Sequence, residues 1–431
     1  HREGREVFVK VYQDPERGGI HWKREQQGLF ALRQLGIPTP ELLYSGTTRE
    51  EGWPVILLEH LRPALSFASA WQEVWNDTER KLWLHRLVRL LAEHHNLGLC
   101  QTDLHLDNFL VSAERLLTLD GAGIQVGPPS LARHQALDNL ALLIAQLVPT
   151  YEAWLPSLAE AYREGRGWTI ALDVEALSRR VALARDRRWR EIDGKLLRDC
   201  SQFAYEDTGY GFQVALRGHL SPALDALLKR PDASYPGPDQ ALKNGRTCTL
   251  WRTRVDDRDL VVKRYNPKGV LHGLKQLLFQ SRAIRSWRNA HRLGFLGIAT
   301  AQPLALVVQR RRWWQTTAYF ISDYLPGVDA RTWFREPTRS EAEQRRMAER
   351  IARLLGQLGH HGLGHGDLKA SNLLIHDQEV FLIDLDAMRT HSWGWRARSA
   401  HRRDMDRFLE NWRDRPELQA LFRRLLAPAR D

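Results

Sequence analysis

Two stretches of the sequence carry the same acidic and amide residues at the same spacing. In each stretch an asparagine follows an aspartate by 5 residues, and a second aspartate follows the first by 17 residues. The two sets lie 264 residues apart at every position and consist of Asp103, Asn108 and Asp120, and of Asp367, Asn372 and Asp384. A repeat that keeps its internal spacing predicts two related domains in tandem.

This spacing is typical of phosphoryl transfer from ATP, which mainly requires positioning and neutralised phosphate charge. The first aspartate would meet a substrate hydroxyl, whereas the asparagine and the second aspartate would bind Mg2+ beside the phosphates. Short apolar runs, such as residues 109–111 and 116–119, predict a hairpin that presents these groups at one end. The alternative, in which each aspartate only begins a turn, does not require the same three residue types twice.

A strand that carries a lysine precedes each set. Residues 7–12 and 260–265 alternate in polarity and contain Lys10 and Lys263. A lysine in a strand is usually a surface residue, but the flanking repeat favours the lysine that grips the α- and β-phosphates of a nucleotide.

The next repeated strand would form the hinge that holds the adenine ring. Residues 55–61 and 319–325 are apolar strands that end near Glu59 and Asp323, again 264 residues apart. Backbone groups at these strand ends are the predicted adenine contacts.

Length and element pattern predict an α+β protein with two tandem, bilobal, protein-kinase-like domains. We place the first domain at residues 1–200 and the second at residues 201–431, each with a small β-rich lobe and a helical lobe. Lys10 lies too close to the first residue for the two strands and glycine-rich loop that usually precede it. The sequence also lacks an initiating Met. We therefore expect a first domain that is truncated or that covers its nucleotide differently.

Composition indicates a protein of a reducing compartment. The chain contains 3 cysteines, which are far apart and do not suggest a disulfide framework. No apolar run approaches the roughly 18 residues of a membrane span, and the first residues do not resemble a signal peptide.

The positive charge is concentrated in one segment. Residues 260–322 contain 11 Lys and Arg residues and no Asp or Glu, and Arg310 to Arg312 are followed by Trp313 and Trp314. This combination suits an anionic membrane surface or a polyanionic substrate. The alternative is a solvated basic helix on the surface of the domain. Nucleic acid is not expected, because no nucleic-acid-binding module is recognisable.

The second copy resembles a known family. Its motifs H-G-D-L-K-A-S-N-L-L-I and L-I-D-L-D-A-M-R, with K-R-Y-N after the strand lysine, resemble the lipopolysaccharide-core kinases, bacterial enzymes related to Kdo and heptose kinases. The resemblance covers roughly residues 205–431, and residues 1 to about 200 resemble the same superfamily more loosely. It implies ATP-dependent phosphorylation of a sugar hydroxyl of the lipopolysaccharide inner core or of its lipid-linked precursor. It also implies a peripheral position on the cytoplasmic face of the bacterial inner membrane.

The resemblance also implies residue roles. Asp367 would orient or deprotonate the acceptor hydroxyl, and Lys369 would neutralise the transferring phosphoryl group. Asn372 and Asp384 would bind Mg2+, and Lys263 would hold the α- and β-phosphates. The equivalents in the first domain are Asp103, His105, Asn108, Asp120 and Lys10.

Each copy departs from the family pattern at one supporting position. In the first domain Glu25 suits the helix carboxylate that pairs with Lys10, but Gln101 and Thr102 replace the usual His-Gly or His-Arg. When the two copies are aligned, Ser286 of the second domain occupies the sequence position of Glu25. An unpaired lysine in a cleft is costly, so we expect Lys263 to contact Asp384 and Lys10 to contact Glu25.

Three functional interpretations remain open at this point. The first is an active sugar kinase in which one or both domains transfer phosphate. The second is a kinase paired with a non-catalytic docking or regulatory domain. The third is a non-catalytic scaffold, which has no need for the magnesium ligands that both copies retain; a kinase that acts on protein or on another small molecule is a further possibility.

Overall fold

The computed structural model describes residues 6–14, 17–266, 273–312, 315–391 and 394–427. Two parts of the predicted basic membrane surface, Lys268 and the pair Trp313 and Trp314, lie outside these residues, as do the side chains of Arg310 to Arg312. The chain forms two compact units, His1–Arg188 and Trp189–Asp431. The domain boundary placed after residue 200 remains a prediction.

The first unit begins with a small antiparallel sheet and one long helix. Strand β1 lies at the edge of the sheet in the order β1-β3-β2, and its register places Lys10 opposite Ile56. The elements are β1 (Val7–Val11), α1 (Gly18–Gln34), β2 (Leu42–Thr47) and β3 (Pro54–Glu59). The helix α1 packs its buried residue Leu29 against Ile56 and Leu58 of the sheet.

The rest of the first unit is mainly helical. The helix α3 begins at a capping box formed by Asn76 and Glu79, which satisfies backbone N–H groups at the helix start. Its Leu87 and Leu91 are fully buried in the main core. The elements are β4 (Leu65–Ser66), α2 (Phe67–Ser69), α3 (Asp77–Asn96), β5 (Leu99–Gln101), β6 (Phe109–Ser112), β7 (Arg115–Thr118), β8 (Ile124–Val126), α4 (Arg133–Ile144), α5 (Leu155–Gly165) and α6 (Val174–Lys195), of which α6 continues into the second unit from Trp189 onwards.

The second unit contains a sheet of seven strands in the order β11-β12-β13-β15-β14-β10-β9. These strands are β9 (Phe203–Asp207), β10 (Gly211–Leu216), β11 (Lys243–Asn244), β12 (Cys248–Val255), β13 (Arg258–Tyr265), β14 (Pro303–Arg312) and β15 (Gln315–Asp323), with α7 (Pro222–Lys229) after β10 and α8 (Gly273–Phe295) after β13. The predicted strand at residues 260–265 forms part of β13, which pairs antiparallel with β12. Sequence analysis missed β9 and β10, which extend the sheet beyond β14.

The rest of this unit is mainly helical and contains the hairpin of the second copy of the repeat. The elements are β16 (Val328–Asp329), α9 (Ala330–Arg335), α10 (Glu341–His360), β17 (Leu363–Gly364), β18 (Leu373–His376), β19 (Glu379–Leu382), β20 (Arg389–Thr390), α11 (Gly394–Glu410) and α12 (Pro416–Leu426). A cluster of aromatic rings fills the core between α9, α11 and α12: Phe334 lies 5.3 Å from Trp412 and 5.7 Å from Phe422, measured between ring centroids. The mixed helix and strand content agrees with the predicted α+β class.

We predict that Phe334→Ala destabilises the second unit by ~3–5 kcal/mol, the usual cost of removing a buried aromatic ring. Phe334 is 1% exposed, so its removal leaves a cavity in the core. Urea unfolding measures the effect. The control Tyr210→Ala removes an aromatic ring that is 77% exposed in the same unit and should cost below ~0.5 kcal/mol. Equal effects of the two substitutions would contradict this account of the core.

Candidate functional site

Both units present the second aspartate of the repeat on the same kind of turn. Asp120 and Asp384 have φ angles of 60° and 62°, in the left-handed region, and each precedes a short 3-10 turn. This backbone conformation is uncommon for residues other than glycine and tends to occur at functional sites. The sequence spacing therefore corresponds to one backbone geometry that the chain builds twice.

The asparagine of each repeat is fixed by the loop that carries the first aspartate. Asn108 Nδ2 donates to the backbone oxygen of Asp103 at 2.6 Å, and Asn372 Nδ2 donates to that of Asp367 at 2.9 Å. The backbone oxygen of each asparagine accepts the N–H of the residue before the second aspartate. With its amide nitrogen engaged, the asparagine offers the side-chain oxygen to a ligand.

These oxygens fit Mg2+. The ion is commonly bound through one or two carboxylates, with phosphate oxygens and water completing its octahedral shell. An asparagine oxygen and the Asp120 or Asp384 carboxylate would supply such a partial shell in each unit, and this assignment remains a prediction. Within the described ranges no group of three or more His, Cys, Asp or Glu side chains could hold a metal by itself.

In the first unit the predicted contact between Lys10 and Glu25 is confirmed. Lys10 Nζ lies 2.7 Å from Glu25 Oε1 and 3.8 Å from Asp120 Oδ1. The other oxygen of Glu25 accepts the backbone N–H of Ala122 at 3.0 Å. Burial and the neighbouring Asp120 raise the pKa of Glu25, and Lys10 partly offsets this effect. Glu25 thus ties the strand lysine, the helix α1 and the turn together.

In the second unit the predicted contact between Lys263 and Asp384 is also confirmed. Lys263 is 7% exposed, and its Nζ also lies 3.3 Å from Asp386 Oδ2. Burial acts to lower the pKa of Lys263, but Tyr265, Asp384 and Asp386 outweigh burial and raise it. Burial likewise acts to raise the pKa of Asp384, but Lys263 beside it holds that pKa below its usual value. The second unit therefore keeps a charged pair in its cleft.

Sequence analysis missed Asp386 as a partner of the strand lysine. Ser286, which aligns with Glu25 in the sequence, instead forms a hydrogen bond with the phenol of Tyr265, with 2.7 Å between the two oxygens. Asp386 accepts from Arg282, which lies on the same helix as Ser286. The signal was present in the sequence as the second acid of Asp384-Leu385-Asp386. In the usual kinase arrangement this carboxylate lies on the helix, whereas here it lies on the turn.

The first aspartate of each repeat has different neighbours in the two units. His105 Nε2 lies 2.9 Å from Asp103 Oδ1. Lys369 Nζ lies 2.9 Å from one oxygen of Asp367, and Arg407 of α11 donates to the other at 2.7 Å. Arg407 was not predicted, because its sequence position 40 residues after Asp367 gives no local signal.

Buried polar residues hold the loops that carry these aspartates. Asp404 accepts the backbone N–H groups of His365 and Gly366 at 2.6 and 3.0 Å. In the first unit Asn139 Nδ2 donates to the backbone oxygen of Gln101 at 2.8 Å. A helix residue fixes the loop in both units, with an acid in one and an amide in the other.

The predicted hinge residues lie at the ends of their strands. Backbone N–H groups of Glu59 and Asp323 are bonded within the unit, at 2.9 and 3.0 Å. The Asp323 carboxylate is held by Arg258 through two bonds of 2.9 and 2.8 Å, so its side chain serves the fold. The adenine contacts assigned to the hinge remain a prediction.

Two cavities of the first unit adjoin at Lys10 and Asp120. One, of about 510 Å³, is also lined by Glu59, His60 and Asn108. The other, of about 460 Å³, is lined by Glu25 and Asp103 among others. The first cavity thus runs from the hinge to the predicted metal ligands, and the second reaches the aspartate predicted to meet the acceptor.

No helix in the described part of the chain combines the length and apolar character needed to span a membrane.

The Lipopolysaccharide kinase (Kdo/WaaP) family model matches residues 5–142 and 243–424. No curated protein sequence matches the chain. A solved structure of WaaP in complex with acyl carrier protein is 19% identical, with a TM-score of 0.36, and the alignment covers 48% of this chain and 87% of that one.

We predict that the Asp384 carboxyl group titrates below the ordinary value of ~3.9 in the metal-free protein. Lys263 stabilises the charged form, so the pair adds stability above the unfolded pKa and loses it as the pH falls through the folded pKa. Carboxyl 13C NMR assigned with Asp384→Asn measures the titration. A midpoint at or above the ordinary value would contradict the pairing.

Proposed function

Because the chain belongs to the lipopolysaccharide kinase (Kdo/WaaP) family and is therefore a kinase, we propose that it phosphorylates a sugar hydroxyl of the lipopolysaccharide core with ATP as the donor. The observation that carries this proposal is the turn aspartate, the amide-locked asparagine and the strand lysine, which recur together in both units. We further propose that each unit is a bilobal kinase-like domain with its cleft between the sheet and the helical part.

Asp367 is the proposed group that orients the acceptor hydroxyl and receives its proton. Lys369 and Arg407 hold its two carboxylate oxygens, which fixes the direction in which the carboxylate faces. As the hydroxyl attacks, the positive charge of Lys369 stabilises the transferring phosphoryl group. Position and electrostatics, rather than covalent chemistry, supply the catalysis.

The nucleotide end of the second unit uses Lys263, Asn372 and Asp384. Lys263 would hold the α- and β-phosphates, and Asn372 and Asp384 would hold Mg2+, whose charge would neutralise the phosphate oxygens. The Lys263–Asp384 pair keeps both groups in place before the nucleotide arrives. Lys10, Asn108 and Asp120 are the proposed equivalents in the first unit.

The two units differ in the surroundings of the first aspartate of the repeat. This difference supports a second functional arrangement of the two units. Asp103 faces one imidazole, whereas Asp367 faces two cations. In this alternative the second unit transfers phosphate, and the first is a docking or regulatory module that keeps a nucleotide cleft.

We predict that Asp367→Asn lowers turnover by at least ~100-fold, the lower range for a lost general base, and leaves nucleotide binding intact because the metal ligands remain. Phosphate transfer to purified core oligosaccharide measures the effect, and Asp103→Asn is the matched substitution in the first unit. Loss of turnover in Asp103→Asn alone would assign catalysis to the first unit. Full activity in both variants would refute the proposed site.

We also propose that the protein works at the cytoplasmic face of the bacterial inner membrane, as a peripheral protein. The excess of basic residues in residues 260–322 and the motif Arg310-Arg-Arg-Trp-Trp support this proposal, because anionic lipid attracts basic segments and interfacial aromatics. A lipid-linked core saccharide is the acceptor that such a surface would meet.

Replacing Arg310, Arg311 and Arg312 together by Gln should weaken binding to anionic vesicles, since each basic residue near such a surface contributes roughly 1 kcal/mol. Co-sedimentation measures binding, and added salt should reproduce the loss by screening. Neutral vesicles are the control. Binding that is unchanged by both the substitutions and salt would exclude this segment as a membrane contact.

A further inference from the structure

The carboxylate of Asp386 joins three elements of the second unit. Its Oδ2 lies 3.3 Å from Lys263 Nζ on β13, and it accepts from Arg282 Nε and a terminal nitrogen of Arg282 on α8, at 3.1 and 2.6 Å. Asp386 itself belongs to the turn that follows Asp384. We propose that Asp386 is the positioning residue that holds Lys263 ready for the nucleotide phosphates, and that Arg282 anchors it to the helix.

This proposal rests on the nucleotide site proposed above and assigns the missing part of it. In the first unit Glu25 reaches from the helix to Lys10 and to the backbone N–H of Ala122. Ala122 stands two residues after Asp120, as Asp386 stands two residues after Asp384. The link between strand, helix and turn is therefore the same in both units, with the acid on the helix in one and on the turn in the other.

Asp384 cannot fill this role by itself. During the reaction it is needed for the metal ion, and its side chain is 33% exposed. The side chain of Asp386 is 7% exposed, and three N–H groups converge on one of its oxygens. A buried carboxylate needs such partners, because burying a charge without hydrogen-bond partners is costly. Lys263 can thus turn from Asp384 towards phosphate without losing its second partner.

Two cations and two anions contact one another in this cluster, and Arg285 and Lys243 add positive charge nearby. Lys263 and Arg282 face Asp384 and Asp386, two cations against two anions. Both cations lie near the ring of Tyr265, at 5.1 and 5.4 Å from its centroid. Removing Asp386 would leave two cations facing one acid, so we expect Lys263 to lose its fixed position rather than only one hydrogen bond.

The test follows each lysine separately in the full chain. Acetylation by acetic anhydride is measured by mass spectrometry on the peptides that contain Lys263 and Lys10, with increasing MgATP. In Asp386→Asn we expect about tenfold more MgATP for half-protection of Lys263, and faster acetylation of Lys263 without nucleotide. Lys10 should be unchanged, which makes it the internal control. Steady-state kinetics should show the loss mainly in KM for ATP, because the lysine contributes to binding before the transition state.

Two further variants separate positioning from folding. Arg282→Gln removes only the anchor. It should change the half-protecting MgATP concentration and the acetylation rate of Lys263 in the same direction, by a smaller factor. Ser286→Glu combined with Asp386→Ala moves the acid from the turn to the helix and should restore the protection of Lys263 by MgATP. The control Asp377→Asn makes the same substitution at a side chain that is 86% exposed on the adjacent hairpin turn, and it should change nothing.

Unchanged protection and unchanged acetylation of Lys263 in folded Asp386→Asn would overturn the proposal, as would an equal change at Lys10. If MgATP does not protect Lys263 in the natural sequence, the proposed nucleotide site is wrong. The acetylation rate without nucleotide then still decides whether Asp386 holds Lys263. Thermal unfolding of each variant shows that the protein measured is folded.

Discussion

A lysine ammonium group placed inside a cleft must be paired with carboxylates, and much of the second unit is arranged around this requirement. Lys263 is fixed by the register of β13, between β12 and β15. Leaving such a charge unpaired costs more than most single interactions contribute, so its partners must be rigid. The left-handed turn at Asp384 and the bond from Arg282 to Asp386 supply that rigidity.

The same turn also links the proposed nucleotide end of the site to the proposed acceptor end. The residue before Asp384 bonds to Asn372, and Asn372 bonds to the backbone of Asp367. A displacement of the loop that carries Asp367 would thus also move the predicted metal ligands. Asp404 opposes such a displacement, because its carboxylate accepts two consecutive backbone N–H groups of that loop. Two short hydrogen-bonded paths therefore hold Asp367 and Asp384 in fixed positions relative to each other.

The sequence predicted the features that depend on local spacing and on the repeat. The hairpin, the lysine strands and the contacts of Lys10 and Lys263 all follow from residue types at fixed offsets. Features that depend on packing between distant segments could not be predicted in this way. Arg407 reaches Asp367 from a helix, and β9 pairs with β10 at the far edge of a sheet whose centre lies later in the chain. Asp386 belongs partly to both groups. It lies two residues after the motif residue Asp384, but its contacts with Lys263 and Arg282 join distant segments of the chain.

In the two units a carboxylate on a different element contacts the strand lysine. Glu25 and Asp386 are different acids on different elements, yet each contacts the strand lysine and joins the helix to the turn. At the proposed acceptor end the partners of the aspartate differ, because Asp103 contacts an imidazole and Asp367 contacts an ammonium group and a guanidinium group, those of Lys369 and Arg407. The units are thus alike where a nucleotide would bind and unlike where an acceptor would bind, which is the pattern expected if they handle different acceptors or only one of them transfers phosphate.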